Sequence, residues 1–175
     1  MKKILFILIF GLILTSQLFA IIIRGVAIEK PIDIMDEKNI HHYHAIPTTL
    51  YVGGTGPNNF STIQQAIDNA SNGDTVFVYS GIYYENIEIF HSIILEGENR
   101  ETTIIDGQGD GDTIYCEADN VVIHGFTIKN GYIIGGYWWI AGIQLYICDY
   151  CNIYDNNLME NNYGIRLYGA PNCTI

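Results

Sequence analysis

Gly142-Ile143-Gln144-Leu145-Tyr146 is echoed by Gly164-Ile165-Arg166-Leu167-Tyr168, each residue shifted by 22. Cys151 maps to Cys173 and Ile153 to Ile175 at the same shift. An earlier copy, Ile123-His124-Gly125-Phe126-Thr127-Ile128, matches Ile153 through Leu158 at a shift of 30, and the extra residues fit an insertion around Gly131–Trp139. A period near 22 with short strands on each turn is what a parallel β-helix needs: like residues stack one rung above another, about 4.8 Å apart. Isoleucine stacks then fill the interior. Asn156, Asn157, Asn161 and Asn162 are expected at the turns, where asparagine tolerates left-handed backbone and bonds to neighbouring rungs.

Upstream of the repeat the same texture continues. Thr75-Val76-Phe77-Val78-Tyr79, Ile87-Glu88-Ile89, Ile93-Ile94-Leu95, Thr103-Ile104-Ile105, Thr113-Ile114-Tyr115 and Val121-Val122-Ile123 are short apolar pieces separated by Gly, Asn and Asp. They read as strands without intervening helices, which excludes a doubly wound sheet. One segment differs. Ser61 and Gln64 match a capping box, and Ile63, Ala66, Ile67 and Ala70 follow at helical spacing until Asn72-Gly73. The spacing predicts a single short helix near residues 62–70.

The segments Phe60-Ser-Thr-Ile-Gln-Gln-Ala-Ile-Asp68, Gly73-Asp-Thr-Val-Phe-Val78, Gly81-Ile-Tyr-Tyr-Glu-Asn86 and Ile105-Asp-Gly107 resemble the start of the pectin-lyase-like superfamily. Ile153-Tyr-Asp-Asn-Asn-Leu158 and Tyr163-Gly-Ile165 resemble the NosD-type β-helix repeats of secreted and surface proteins. The resemblance covers roughly residues 50–175. It implies an all-β, right-handed parallel β-helix (a β-solenoid) with a short N-terminal capping α-helix that hides open strand edges. On that fold Ile143 and Ile165 should point inward on adjacent rungs, with Gln144 and Arg166 outward.

Domain organisation follows from what precedes the repeat. Lys2 and Lys3, an apolar run from Ile4 to Leu14, and a polar break at Thr15-Ser16-Gln17 give residues 1–20 the order of a secretory signal. An uncleaved anchor is the competing reading, because Ile21-Ile22-Ile23 extends the apolar stretch. Residues 21–49 read as a leader or linker, and residues 50–175 as the β-helix domain, expected to be its N-terminal part. The chain stops at Ile175, one strand into a new rung. Further coils of the same chain, or a partner, are therefore expected to cover that end. The expected location is secreted: extracellular, cell-surface or periplasmic.

Of 175 residues, 19 are acidic and 8 basic, a formal net charge of -11. That balance excludes a broad basic face for nucleic acid and disfavours anionic lipid, and it suits cations or neutral glycans. The superfamily includes lyases, hydrolases, esterases, epimerases and non-enzymatic binders, so fold alone names no activity. The Gln-Asp-Thr-Leu and Phe-Gly-Asn blocks of pectin methylesterases do not occur in this sequence, and Asp112-Thr113-Ile114-Tyr115 is only an echo of the first. Nor does it carry the Gly-His-Gly segment of polygalacturonases or the Asp-Pro-His-Glu block of alginate epimerases. The expected function is an exported non-catalytic module, a surface scaffold or a contact for polysaccharide or cell-surface glycan. The alternative is the N-terminal fragment of a polysaccharide lyase, esterase or hydrolase with its active site beyond residue 175.

Four local features carry chemistry. Asp106, Asp110 and Asp112 sit on a Gly-rich turn as hard oxygen donors, a candidate Ca²⁺ site set against an ordinary solvated turn; no other cofactor is expected. Tyr137, Trp138 and Trp139, in the insertion, offer flat faces for sugar rings or a hydrophobic cover. His41, His42 and His44 cluster in the leader, where a solvated linker is preferred to a metal site. Cys148-x-x-Cys151 suggests zinc or redox chemistry, but Cys116 and Cys173 lack a matching CxxC spacing. Cys151 and Cys173 are expected to stack inward one rung apart, a separation that also permits a disulfide.

Overall fold

The computed structural model describes residues 46–135 and 139–175. In chain order the elements are β1 (Thr49–Val52), α1 (Ile63–Asn69), β2 (Thr75–Val78), β3 (Gly81–Tyr83), β4 (Ile87–Ile89), β5 (Ile94–Gly97), β6 (Thr103–Asp106), β7 (Asp110–Gly111) and β8 (Ile114–Cys116). There follow β9 (Val122–His124), β10 (Thr127–Lys129), β11 (Tyr132–Ile133), β12 (Ala141–Tyr146), β13 (Asn152–Tyr154), β14 (Asn157–Met159) and β15 (Tyr163–Tyr168). The chain visits three walls in turn. Their strand orders are β1-β2-β5-β9-β13, β3-β6-β10-β14 and β4-β8-β12-β15, and every pairing within them is parallel. Each circuit adds one strand to each wall, which makes a parallel β-helix.

Registers follow the repeats. Ile143 lies opposite Ile165 and Leu145 opposite Leu167, at the shift of 22. Ile123 lies opposite Ile153, at the shift of 30. The inward columns Val76–Leu95–Ile123–Ile153 and Ile87–Ile114–Ile143–Ile165 form the core, fully buried except for half-buried Ile165. Each such side chain contributes about 1.5–3 kcal/mol by leaving water, and β-branching suits it to a pleated wall. The insertion departs from this order: β11 pairs antiparallel with β7, Tyr132 opposite Gly111. Strands of two residues are too short to show a period in sequence.

The helix is shorter than the expected 62–70, and its start differs by one residue. Thr62, not Ser61, is the N-cap, its side chain accepting from the Gln65 N–H. The next two free donors, the N–H groups of Ile63 and Gln64, reach the Glu85 carboxylate at 2.9 and 3.0 Å. Gln64 therefore does not close a capping box; its amide exchanges two hydrogen bonds with the Glu88 backbone. A carboxylate from the first full rung thus completes the cap begun by Thr62, and it also docks α1 across the β3–β4 connection. Ile63, Ala66 and Ile67 are buried there against the core.

The asparagines divide the work expected of them. Positive φ falls on Asn120, Asn130, Asp155 and Glu160, among others. Asn156 and Asn161 instead act through their amides. Asn156 accepts from Phe126 N–H and donates to the Ile123 carbonyl, and Asn161 accepts from Gly131 N–H and donates to the Ile128 carbonyl. They tie one rung to the next where the ladder is interrupted. Asn157 lies within β14.

Candidate functional site

The outer face of the wall β4-β8-β12-β15 carries Glu88, Tyr115, Gln144 and Arg166 in register. Arg166 points outward as alternation requires. Gln144 points outward on the same side, as expected, yet is only 2% exposed because its neighbours cover it. Its Oε1 accepts from Arg166 Nη1 at 2.7 Å and its Nε2 donates to the Leu145 carbonyl at 3.0 Å. The guanidinium of Arg166 stacks over the ring of Trp139 at 5.3 Å and over Tyr168 at 5.9 Å. Trp139 itself is exposed.

Beside this polar centre runs a ladder of aromatic rings. Phe90, Tyr115, Tyr146 and Tyr168 follow one another at centroid distances of 6.3, 5.9 and 5.0 Å, the last pair stacked within 7° of parallel. Phe90 and Tyr168 are exposed. The Tyr115 phenol is pushed up to about 12, by burial first and then by its hydrogen bond to Glu117. Sequence reasoning missed the ladder and placed aromatic contact only in the insertion, although the echo of Tyr146 by Tyr168 was its visible signal.

The acidic turn distributes its carboxylates. Asp106, buried, holds Lys129 Nζ at 3.1 Å, Asn130 Nδ2 at 2.8 Å and the Gln108 N–H at 3.0 Å. Asp112 accepts from the Ala141 N–H at 2.6 Å. Burial raises the Asp112 carboxyl above its ordinary value against the opposing pull of that N–H and of Arg166. Asp110 lies exposed in β7. The donor atoms of these three residues do not gather within 4.8 Å of one another. Trp139 joins the outer face, whereas Tyr137, Trp138, residues 1–20 and His41, His42 and His44 lie outside the described residues.

Three thiols do converge. Cys116 at the end of β8, and Cys148 and Cys151 between β12 and β13, place their sulfurs within 4.8 Å of one another and are all buried. Among the described residues this is the one such cluster of three. The thiols of Cys116 and Cys151 both donate to the Ala118 carbonyl, at 3.6 and 3.3 Å. Half-buried Cys173 approaches from the next rung and donates to the Cys148 carbonyl at 3.6 Å. No disulfide links the four. The adjoining Cys116 thiol holds Cys151 below its ordinary value, and Cys151 in turn pushes Cys116 up. Burial, then the Cys151 charge, pushes Cys148 up to about 12.

The family model "Periplasmic copper-binding protein (NosD)" matches residues 67–175, more than half of the chain. The chain belongs to the NosD family. A probable pectinesterase/pectinesterase inhibitor 17 of Arabidopsis thaliana is 35% identical over 91 residues, 45% of this chain and 18% of that protein. A pectin methylesterase crystallised with a hexasaccharide superposes with a TM-score of 0.57 at 18% identity, covering 71% of this chain and 47% of that one. Pectin methylesterase from Aspergillus niger gives 0.48 at 19%, covering 75% and 46%. This NosD-family chain thus spans less than half the length of each of these relatives. The superposition shows that the chain shares the parallel β-helix fold of the pectin methylesterase.

Proposed function

We propose that this NosD-family chain is an exported, non-catalytic β-helix module that contacts polysaccharide through the outer face of β4-β8-β12-β15. The observation that carries this reading is the ladder Phe90–Tyr115–Tyr146–Tyr168, continued to Trp139 by the Arg166 guanidinium. Successive rings about 5–6 Å apart offer flat apolar faces to successive sugars, while Arg166 supplies hydrogen-bond donors to hydroxyls. The net charge of -11 favours a neutral or esterified glycan over a polyanion. Export is supported by the signal-like order of residues 1–20 and by the periplasmic description of the family. The hexasaccharide complex of the pectin methylesterase supports a glycan as the ligand class.

The family's description also names copper. The residues of this chain whose donors fit that ion are the thiols of Cys116, Cys148 and Cys151, because monovalent copper selects thiolate.

Calorimetry and pull-down with neutral and methyl-esterified polysaccharides test the glycan reading. Tyr146→Ala and Tyr168→Ala should each weaken binding by roughly 2–10-fold, the worth of a ring contact of about 0.5–1.5 kcal/mol. Unchanged binding in both variants sinks it. Release of methanol or unsaturated ends from pectin by the chain extended beyond residue 175 establishes the enzymatic alternative instead.

A further inference from the structure

We infer that Cys116, Cys148 and Cys151 form a three-coordinate thiolate site for a monovalent copper ion, reached through Cys173. The ligands come from separate places in the chain, one on β8 and two on the turn between β12 and β13, and the wrapping of the solenoid brings them together. Their sulfurs lie within 4.8 Å of one another. Metal–thiolate bonds of about 2.3 Å in a planar trigonal arrangement hold sulfurs about 4 Å apart. Small side-chain rotations therefore close the site around an ion without moving the backbone.

The donor set selects the metal. All three donors are soft sulfur, and Ile89 and Leu145, in register with Cys116, belong to the same apolar core. Among the described residues no carboxylate or imidazole joins the three thiols within 4.8 Å. Zinc in a structural site takes four ligands in a tetrahedron, and calcium takes six to eight oxygens. Copper in the monovalent state accepts thiolates at low coordination number. The Ala118 carbonyl holds the thiol protons of Cys116 and Cys151 in the metal-free state. Each copper–sulfur bond formed to a thiol releases one proton to solvent; copper stays monovalent and no electron moves.

The three ligands are at most 2% exposed, so the ion needs a path. Cys173 supplies it. It is half-buried, stands one rung beyond Cys151, and its sulfur reaches the Cys148 carbonyl at 3.6 Å. An incoming ion binds there first and passes to Cys148 by ligand exchange. The site lies inside the solenoid and the aromatic ladder on its outer face, so either assignment stands or falls without the other.

The test is anaerobic titration of the reduced full chain with Cu(I) in competition with a colorimetric Cu(I) chelator. One ion per chain is expected, with thiolate-to-copper absorption and an X-ray absorption edge reporting three sulfurs. Cys151→Ser, its fold checked by circular dichroism, should lose affinity by at least the roughly 10–100-fold seen when a metal's surroundings are altered. Cys116→Ser serves in the same way if Cys151→Ser does not fold. Cys173→Ser should keep one ion at unchanged affinity and load it more slowly. The assignment is overturned if the folded, reduced wild type yields all copper to the chelator, or if Cys151→Ser or its substitute binds as tightly as wild type. It is equally overturned if Zn²⁺ is held as tightly as Cu(I), or if Cys173→Ser abolishes binding.

Discussion

Gly97 and Gly125 stand on successive rungs with their backbones in contact, and a Cβ built on either would run into the carbonyl oxygen of the other. Gly125 also holds φ at +84°, where an L side chain is strained. Gly125→Ala should therefore cost about 2–4 kcal/mol, from left-handed backbone plus overpacking, and Gly97→Ala somewhat less. Urea unfolding followed by far-ultraviolet circular dichroism measures both. A loss below 1 kcal/mol in Gly125→Ala would mean that the rungs can separate there at little cost.

Arg166→Ala removes the partner of a nearly buried acceptor, Gln144 Oε1. The expected cost is about 1–3 kcal/mol, the penalty for an unsatisfied polar atom. In a Gln144→Leu background the same change should cost clearly less, since the orphaned oxygen is gone. A double-mutant cycle reads the difference, and additive costs would show that the two side chains are not coupled.

Asp106 sets an acid limit on stability. Burial pushes its carboxyl up, but the Asn130 amide, the Gln108 N–H and Lys129 outweigh burial and hold it below its ordinary value. A carboxyl depressed by folding contributes its stability in full above the unfolded value, about 3.9, and loses it as pH falls through the folded value. Asp106→Asn should thus be less stable than wild type by about 1–3 kcal/mol at pH 7, and the gap should close below about pH 4. Parallel urea curves at pH 7, 5 and 3 check this; a gap independent of pH would contradict it.

Ile147 has φ at +46°, a left-handed conformation that β-branched residues avoid, and its side chain is 59% exposed. Ile147→Asn should stabilise the fold by about 1 kcal/mol, because strain is relieved and little packing is lost. Thermal unfolding should show a higher midpoint, and a lower one would mean that contact with Gly169 outweighs the strain.

The rungs were legible because a solenoid writes its register into its sequence. Ile143 over Ile165 and Ile123 over Ile153 needed only the shifts of 22 and 30. The sites were less legible. CxxC spacing, the signature of compact zinc modules, argued against a role for Cys116. In a β-helix the relevant spacing is the rung itself: the register that sets Ile143 opposite Ile114 also sets Leu145 opposite Cys116, three residues before Cys148. The aromatic ladder was overlooked for a similar reason, since Phe90 and Tyr115 lie outside the repeats that align by eye.

What the sequence determined by itself was which residues stack: the isoleucine columns, the rung-tying asparagines, the short helix α1 and the place of the insertion. Periodicity carries that information because parallel pairing repeats the same environment at every turn. Only the tertiary structure decided that the Glu85 carboxylate caps α1, that Gln144 is buried on an outward face, and that three cysteines from separate segments meet. These contacts run across the turns and through the interior, between positions that share no period. Their distances depend on how the chain wraps its three walls, and a linear pattern of like residues does not encode that path.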